Sequence, residues 1–291
     1  MNLDGRRESS NVDDRRGMSG GKAAGLGLGG VIIACLMAWL TGGDIFQAFQ
    51  SAGGLEAITG GNVSVPTEQR EFTEEEQALA KFSKQILAST EDVWSEVFKS
   101  MGKTYIPPRM VLYTGSVQTG CGQGNAQVGP FYCSADQALY IDLSFFSSMK
   151  SQLGADGDFA YAYVIAHEVG HHVEYLMGDL DRCHSQMTGM NQKDANKVSV
   201  RIELQADFYA GVWGYHENKT FSSLDDGDLM EAINCAKVIG DNYLQEKARG
   251  YSSPESFTHG TSAQRMKWLK LGLQTGDMNR RDTYSIPESQ L

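Results

Sequence analysis

The chain has 291 residues, 41% of them hydrophobic and 10% aromatic, and a formal net charge of −11. That length supports one sizeable core with accessory segments. The acidic balance, concentrated after residue 22 where acidic residues exceed basic ones by 12, argues against nucleic acid as a partner.

Residues 1–22 are polar and glycine-rich, without apolar periodicity, and are expected to form a free N-terminal tail on the cytoplasmic side. From Ala23 to Gly43 there is no charged residue, and 21 uncharged positions are enough to cross a bilayer as a helix. Arg6, Arg7, Arg15, Arg16 and Lys22 precede this stretch, and no Lys or Arg follows until Arg70. The positive-inside rule then predicts an uncleaved anchor over 23–46 in contact with the lipid bilayer. On that reading the protein is a single-pass protein of a bacterial inner membrane, with residues 72–275 as a domain facing the periplasm or outside. Residues 47–71 read as a linker and 276–291 as a C-terminal tail.

Thr73 and Glu76 make a capping box before EEEQALAKFSKQILAS, and a second helix is expected through VWSEVFKSMG. RMVLYTG and ALYIDLSFF have the apolar clustering of strands. The second of these is the candidate edge for strand addition by a peptide, with an ordinary core strand as the equal alternative. Five cysteines are present, and four lie beyond the apolar segment. Proximity pairs Cys121 with Cys133 and Cys183 with Cys235 as disulfides, one of three possible connectivities.

The stretch His167-Glu168-Val169-Gly170-His171 carries the most chemistry. Two histidines four apart on a helix share a face and can reach one zinc ion, with Glu168 beside the metal as general base. Asp156 or Asp158 can cap this helix, and Gly178 can end it. His172 points about 100° away from His171 and reads as a surface or supporting residue. His184 and His216 have no partner at ligand spacing.

A catalytic zinc takes three protein ligands and leaves a position for water. In VSVRIELQADFYAGVWGYHEN, Glu203 and Asp207 are four apart among apolar residues, where like charges need a cation nearby. Glu203 is the candidate third ligand. Asp207 is the candidate acceptor for the outer N–H of a ligand histidine. The exchanged assignment fits the same spacing. Residues 226–249 read as one amphipathic structural helix. His259 precedes a helix capped by Thr261 or Ser262 and is placed to donate to an oxyanion.

With these elements together, the chain resembles the bacterial neutral zinc metallopeptidase family over nearly its whole length. The resemblance lies in GRRESSNVDDRRG, CGQGNAQVGPFYCSADQALYIDLSFF, HEVGHHVE, ELQADFYAGVW and THGTSAQR. The last three are also similar in order and type to the catalytic elements of HtpX-like and CAAX-protease metallopeptidases. The resemblance implies one zinc per chain on His167, His171 and Glu203, with Glu168 as base. It further implies that Asp207 orients a histidine and that His259 steadies the transition state. Gly260 departs from those relatives, which often have proline there, and only 31 residues separate His171 from Glu203. The fold implied is α+β, mostly helical and zincin-like, with a small sheet over the zinc helix. The expected activity is hydrolysis of peptide bonds in a peptide or protein. The alternatives are a non-catalytic zinc module in assembly and a zinc amidase acting on cell-wall peptides.

Overall fold

The computed structural model describes residues 1–17 and 71–291. Helices dominate it, and the single four-stranded sheet has the order β1-β2-β6-β5. Strand β1 spans Val12–Asp14, β2 Arg109–Tyr113, β5 Phe131–Cys133 and β6 Ala138–Asp142. The β1–β2 and β2–β6 pairs are parallel, and β5 closes antiparallel on β6, with Tyr132 opposite Leu139. Between β2 and β5 the chain makes an antiparallel ribbon of β3 (Ser116–Thr119) and β4 (Gly122–Asn125). All five residues of β6 are buried. A strand covered on both faces reads as continuous apolar sequence, and that reading does not distinguish centre from edge. Of the two equal readings of ALYID, edge and core strand, the structure shows the core strand, and β5 occupies the edge.

The first helix, α1, runs without interruption from Glu74 to Ser100, and Thr73 and Glu76 form both bonds of the capping box. Two helices are expected there from sequence. The polar stretch Ser89-Thr90-Glu91 that suggests a break is buried within the helix instead. Thr90 satisfies its hydroxyl on the Leu87 carbonyl, and Ser89 receives the Trp213 indole N–H.

After β6 come α2 (Ser144–Ser148), α3 (Asp158–Met177), α4 (Asp179–Met187) and α5 (Gln192–Phe221). Helix α3 carries the paired histidines. Its start is Gly157, with no side-chain cap of its own; Glu231 from another helix accepts the Phe159 N–H instead (3.1 Å). Gly178 ends the helix in a left-handed conformation, as its position predicts. The expected helix over 226–249 is two helices, α6 (Asp228–Val238) and α7 (Asp241–Arg249). They break at Gly240, where an added Cβ would lie 2.4 Å from the Ser262 backbone nitrogen. The last helix, α8 (Ser262–Thr275), starts at a second capping box, Thr261 with Gln264.

Helices α3, α5 and α8 form the layer on which the site depends, and two glycine contacts fix their spacing. A Cβ at Gly170 would sit 2.8 Å from the Ala206 carbonyl oxygen and 3.0 Å from its Cα, so α3 and α5 touch backbone to backbone. Gly211 and Gly272 do the same for α5 and α8, each leaving no room for a Cβ on the other. Around these contacts Trp94 packs edge-on against Tyr209 (5.7 Å) and Phe159 stacks on Trp213 (5.8 Å), all four fully buried. Burying such rings supplies the main apolar stabilisation of the layer.

The N-terminal segment is part of this body and not a free tail. Besides adding β1 to the sheet, it brings Arg6 to Glu217, a fully buried carboxylate (2.6 Å). Ser9 and Asn11 bond Glu91, and Arg16 lies over the Phe72 ring. This corrects the expected membrane topology. Residues 1–17 and 71–291 share one sheet and one buried ion pair, so a single span between them cannot place them on opposite sides of a bilayer. Among the described residues no helix is long and apolar enough to cross a membrane. The expected span 23–46 and residues 47–70 of the expected linker lie outside the described residues. The C-terminal residues also pack: Arg201 donates to the Thr283 and Ile286 carbonyls, and Gln205 donates to the Arg281 carbonyl.

Cys121 and Cys133 form a disulfide that ties the ribbon to β5. The expected Cys183–Cys235 bridge is absent. Cys183 is buried with Leu180 and Ile202, while Cys235 lies in the main core against the Met149 sulfur (3.6 Å). The two thiols serve separate apolar clusters, which sequence proximity does not reveal.

Two stability measurements follow. Arg6→Ala leaves Glu217 buried without its cation and should cost about 3 kcal/mol, lowering Tm by roughly 6–12 °C. Lys99→Ala, which removes an exposed pair with Glu96, should shift Tm by less than about 2 °C. Equal shifts would show that the N-terminal segment contributes nothing to the fold. Gly170→Ala should lower the urea midpoint, even though alanine gains about 1 kcal/mol in helix propensity, because α3 and α5 must part. A raised midpoint would mean the contact is loose.

Candidate metal centre

The α3–α5 contact at Gly170 and Ala206 sets two pairs of side chains against each other. His167 and His171 lie on either side of it on α3, and Glu203 and Asp207 lie at the matching turns of α5. His167 Nε2 is 3.1 Å from Glu203 Oε2, and His171 Nε2 is 3.6 Å from Glu203 Oε1. The three residues offer ligand atoms all within 4.8 Å of one another. Their side chains are mostly buried, 9% (His167), 13% (His171) and 16% (Glu203) exposed. Glu168 sits one residue along α3 from His167 and is 7% exposed.

The other ring nitrogens are committed. His167 Nδ1 is 2.8 Å from Asp207 Oδ1, and His171 Nδ1 is 2.8 Å from Glu174 Oε2. Asp207, held ionised by Arg265, can only accept from His167 Nδ1, and with His171 Nδ1 paired to Glu174 both Nε2 atoms are the ones turned to Glu203. Asp207 is wholly buried, and its oxygens are already engaged. Arg265 donates to it through Nε (2.8 Å) and Nη2 (2.9 Å), and the Tyr163 hydroxyl donates to Oδ1 (2.6 Å). Of the two carboxylates that sequence spacing leaves interchangeable, only Glu203 faces both Nε2 atoms.

The electrostatics mark a position that calls for positive charge. Burial disfavours the His167 imidazolium, but Asp207 and Glu203 outweigh it and raise His167 to about 10. Burial also opposes the Glu203 carboxylate, yet His259, His171 and His167 hold it well below its ordinary range. Asp207 is lowered to about 2, burial being overcome chiefly by Arg265 and His167. His171 is lowered, by burial first. Glu168 is raised by burial, with His171 and His167 opposing. The donor set of two imidazole nitrogens and one carboxylate, with ligand histidines oriented by carboxylates, fits a zinc ion with an open fourth position.

His259 stands beside this group, close enough to Glu203 for their charges to stabilise each other. Its Nδ1 is 3.2 Å from Asp241 Oδ1 and 3.0 Å from the Thr258 hydroxyl. Burial works against its charge, while Glu203 and Asp241 together raise its pKa. Gly260 follows with φ +94°, a conformation closed to proline, whose φ is fixed near −65°. That accounts for the departure noted in the sequence.

The remaining histidines are structural or exposed. His172 is fully buried rather than superficial, accepting from the Tyr132 hydroxyl at Nδ1 (2.9 Å) and donating from Nε2 to the Ile106 carbonyl (2.7 Å). Burial lowers it to about 4, so it stays neutral and ties α3 to the edge strand β5. His216 bonds the Gly276 carbonyl, and His184 is exposed. Sequence reasoning missed Glu174, Arg265, Tyr163 and Asp241. Only Glu174 carries a local signal, lying three residues after His171 on the same helix face.

The chain is similar to proteins from bacteria. YpfJ of Escherichia coli strain K12, an uncharacterized protein, is 47% identical over 293 residues, covering 98% of this chain and 99% of its own. An uncharacterized protein of Mycobacterium tuberculosis strain H37Rv is 42% identical over 202 residues, covering 66% of this chain and 67% of its own. No solved structure matches. The profile of the family described as "Putative neutral zinc metallopeptidase" matches residues 1–284, and the chain belongs to that family.

Proposed function

We propose that this protein hydrolyses peptide bonds at a zinc centre held by His167, His171 and Glu203, with Glu168 as general base. The observation that carries this reading is the convergence of two Nε2 atoms and the Glu203 carboxylate, with a second carboxylate, Glu168, on the helix of the histidines. A purely structural zinc site closes its fourth position with another ligand and has no use for a base.

When bound, zinc supplies Lewis acidity that polarises a scissile carbonyl and brings the pKa of a water towards about 7. The chain's own groups do the rest. Asp207 and Glu174 orient the two rings by engaging their Nδ1 atoms. Arg265 and Tyr163 hold Asp207 in place. Glu168, buried and raised in pKa, takes the proton of the attacking water and passes it to the leaving amine, a role worth roughly 10²–10⁴-fold. His259 donates to the oxygen on which negative charge develops. Peptide or protein is the proposed substrate class.

Chelation of zinc should abolish hydrolysis of casein, and stoichiometric zinc should restore it. Glu168→Gln should lose hydrolysis while retaining about one zinc per chain; full turnover in that variant would remove Glu168 from the reaction. Metal analysis should rank Glu203→Ala as zinc-free and Asp207→Ala as weakened by about 10–100-fold in affinity. The opposite ranking would exchange the two carboxylates.

A further inference from the structure

We propose that Asp241 is the positioning residue for His259, holding the imidazole and its loop in the geometry from which it serves the reaction. The inference rests on the peptidase reading and adds a residue to it.

Asp241 is fully buried at the first turn of α7, while its partners come from the segment before α8. Three consecutive backbone N–H groups donate to its Oδ2: Thr258 (2.8 Å), His259 (2.7 Å) and Gly260 (3.0 Å). Its own N–H donates back to the Gly260 carbonyl (2.9 Å). The other oxygen, Oδ1, lies 3.2 Å from His259 Nδ1. One carboxylate thus fixes both the backbone of residues 258–260 and one nitrogen of the ring.

The surroundings make this geometry hard to leave. Gly260, with φ +94°, lets the chain turn its N–H onto the carboxylate, a backbone state open mainly to glycine. Gly240, immediately before Asp241, allows the Ser262 backbone to approach within the space of a Cβ. Ser262 is held there by its N–H on the Asn242 side chain (2.7 Å) and its hydroxyl on the Lys237 carbonyl (2.6 Å). The turn between α6 and α7 and the turn into α8 are therefore clasped, with Asp241 between them.

A carboxylate on Nδ1 has a chemical consequence. It keeps the hydrogen on Nδ1 and fixes the ring plane. Nε2 is then the atom through which His259 acts beside Glu203. Without Asp241 the ring can rotate and exchange tautomers, and the fraction of enzyme with a competent His259 falls.

The test is a double-mutant cycle on the zinc-loaded full chain with casein, alongside ¹⁵N shifts of the His259 ring. Asp241→Asn keeps the size and an acceptor for the loop N–H groups, but removes the charge from Nδ1. Zinc content and KM should stay within twofold of the parent, and kcat should fall at least about tenfold. In a His259→Ala background the same substitution should change kcat less than twofold. A merely structural Asp241 would instead slow both backgrounds equally, which would overturn the proposal, as would an unaltered kcat in the single variant. The ring shifts need no turnover and no variant: the parent should show a protonated Nδ1, and a bare Nδ1 would overturn the proposal even if Asp241→Asn failed to fold. A zinc-loaded parent with protonated Nδ1 and no hydrolysis of casein would defeat the peptidase reading and leave the positioning of His259 by Asp241 standing.

Discussion

The site depends on one steric fact, the absence of a side chain at Gly170. Ligand side chains of fixed length can meet one ion only if their backbones lie at the right separation. An imidazole and a glutamate on adjacent helices 8–10 Å apart leave little slack. With Gly170 against the Ala206 carbonyl, α3 and α5 sit close enough for His167 and His171 to reach Glu203. The same approach brings His167 Nδ1 onto Asp207. The glycine costs helix propensity locally, and the gain appears on another helix.

Charge then divides the labour within that spacing. Two buried carboxylates four residues apart would repel, and each needs a counter-charge. Asp207 has Arg265, donating through two nitrogens, and so becomes a neutralised support for His167. Glu203 has no arginine of that kind; its partners are the imidazoles of His167, His171 and His259. Arg265 reaches Asp207 only because Gly211 and Gly272 let α8 lie directly on α5. The two glycine contacts are thus successive steps of one construction: the first brings His167 and His171 to Glu203, and the second brings Arg265 to Asp207.

Much of this was legible in the sequence where the signal is local. The H-E-x-x-H spacing, the four-residue interval between Glu203 and Asp207, the Thr73–Glu76 capping box and the stop at Gly178 are properties of single helices, and local sequence reports them directly. What was not legible depends on pairs far apart in the chain. Arg6 meets Glu217 across 211 residues, so residues 1–17 read as a free tail although they carry a strand of the sheet. The apolar run after them then suggested a span with its flanks on opposite sides, an inference that two packed flanks exclude. Whether strand β6 is an edge or a core strand stays open in the sequence because apolar composition cannot report how many neighbours a strand has. Proximity in sequence pairs Cys183 with Cys235, yet each is a small apolar residue in a different cluster.

Asp241 shows why supporting residues escape a sequence reading while ligands do not. A ligand must be of a few chemical types at a few spacings, so its pattern is sparse and recognisable. A support only has to present an acceptor at the right point in space, from any element that passes. Asp207 supports His167 from α5, Glu174 supports His171 from within α3, and Asp241 holds His259 from α7. Three carboxylates perform the same act on three imidazoles from three different helices. Only the fold makes them equivalent, and each keeps its histidine's Nδ1 engaged so that Nε2 remains for chemistry. The centre is therefore better described as three carboxylate–imidazole pairs around Glu203 than as a motif with accessories.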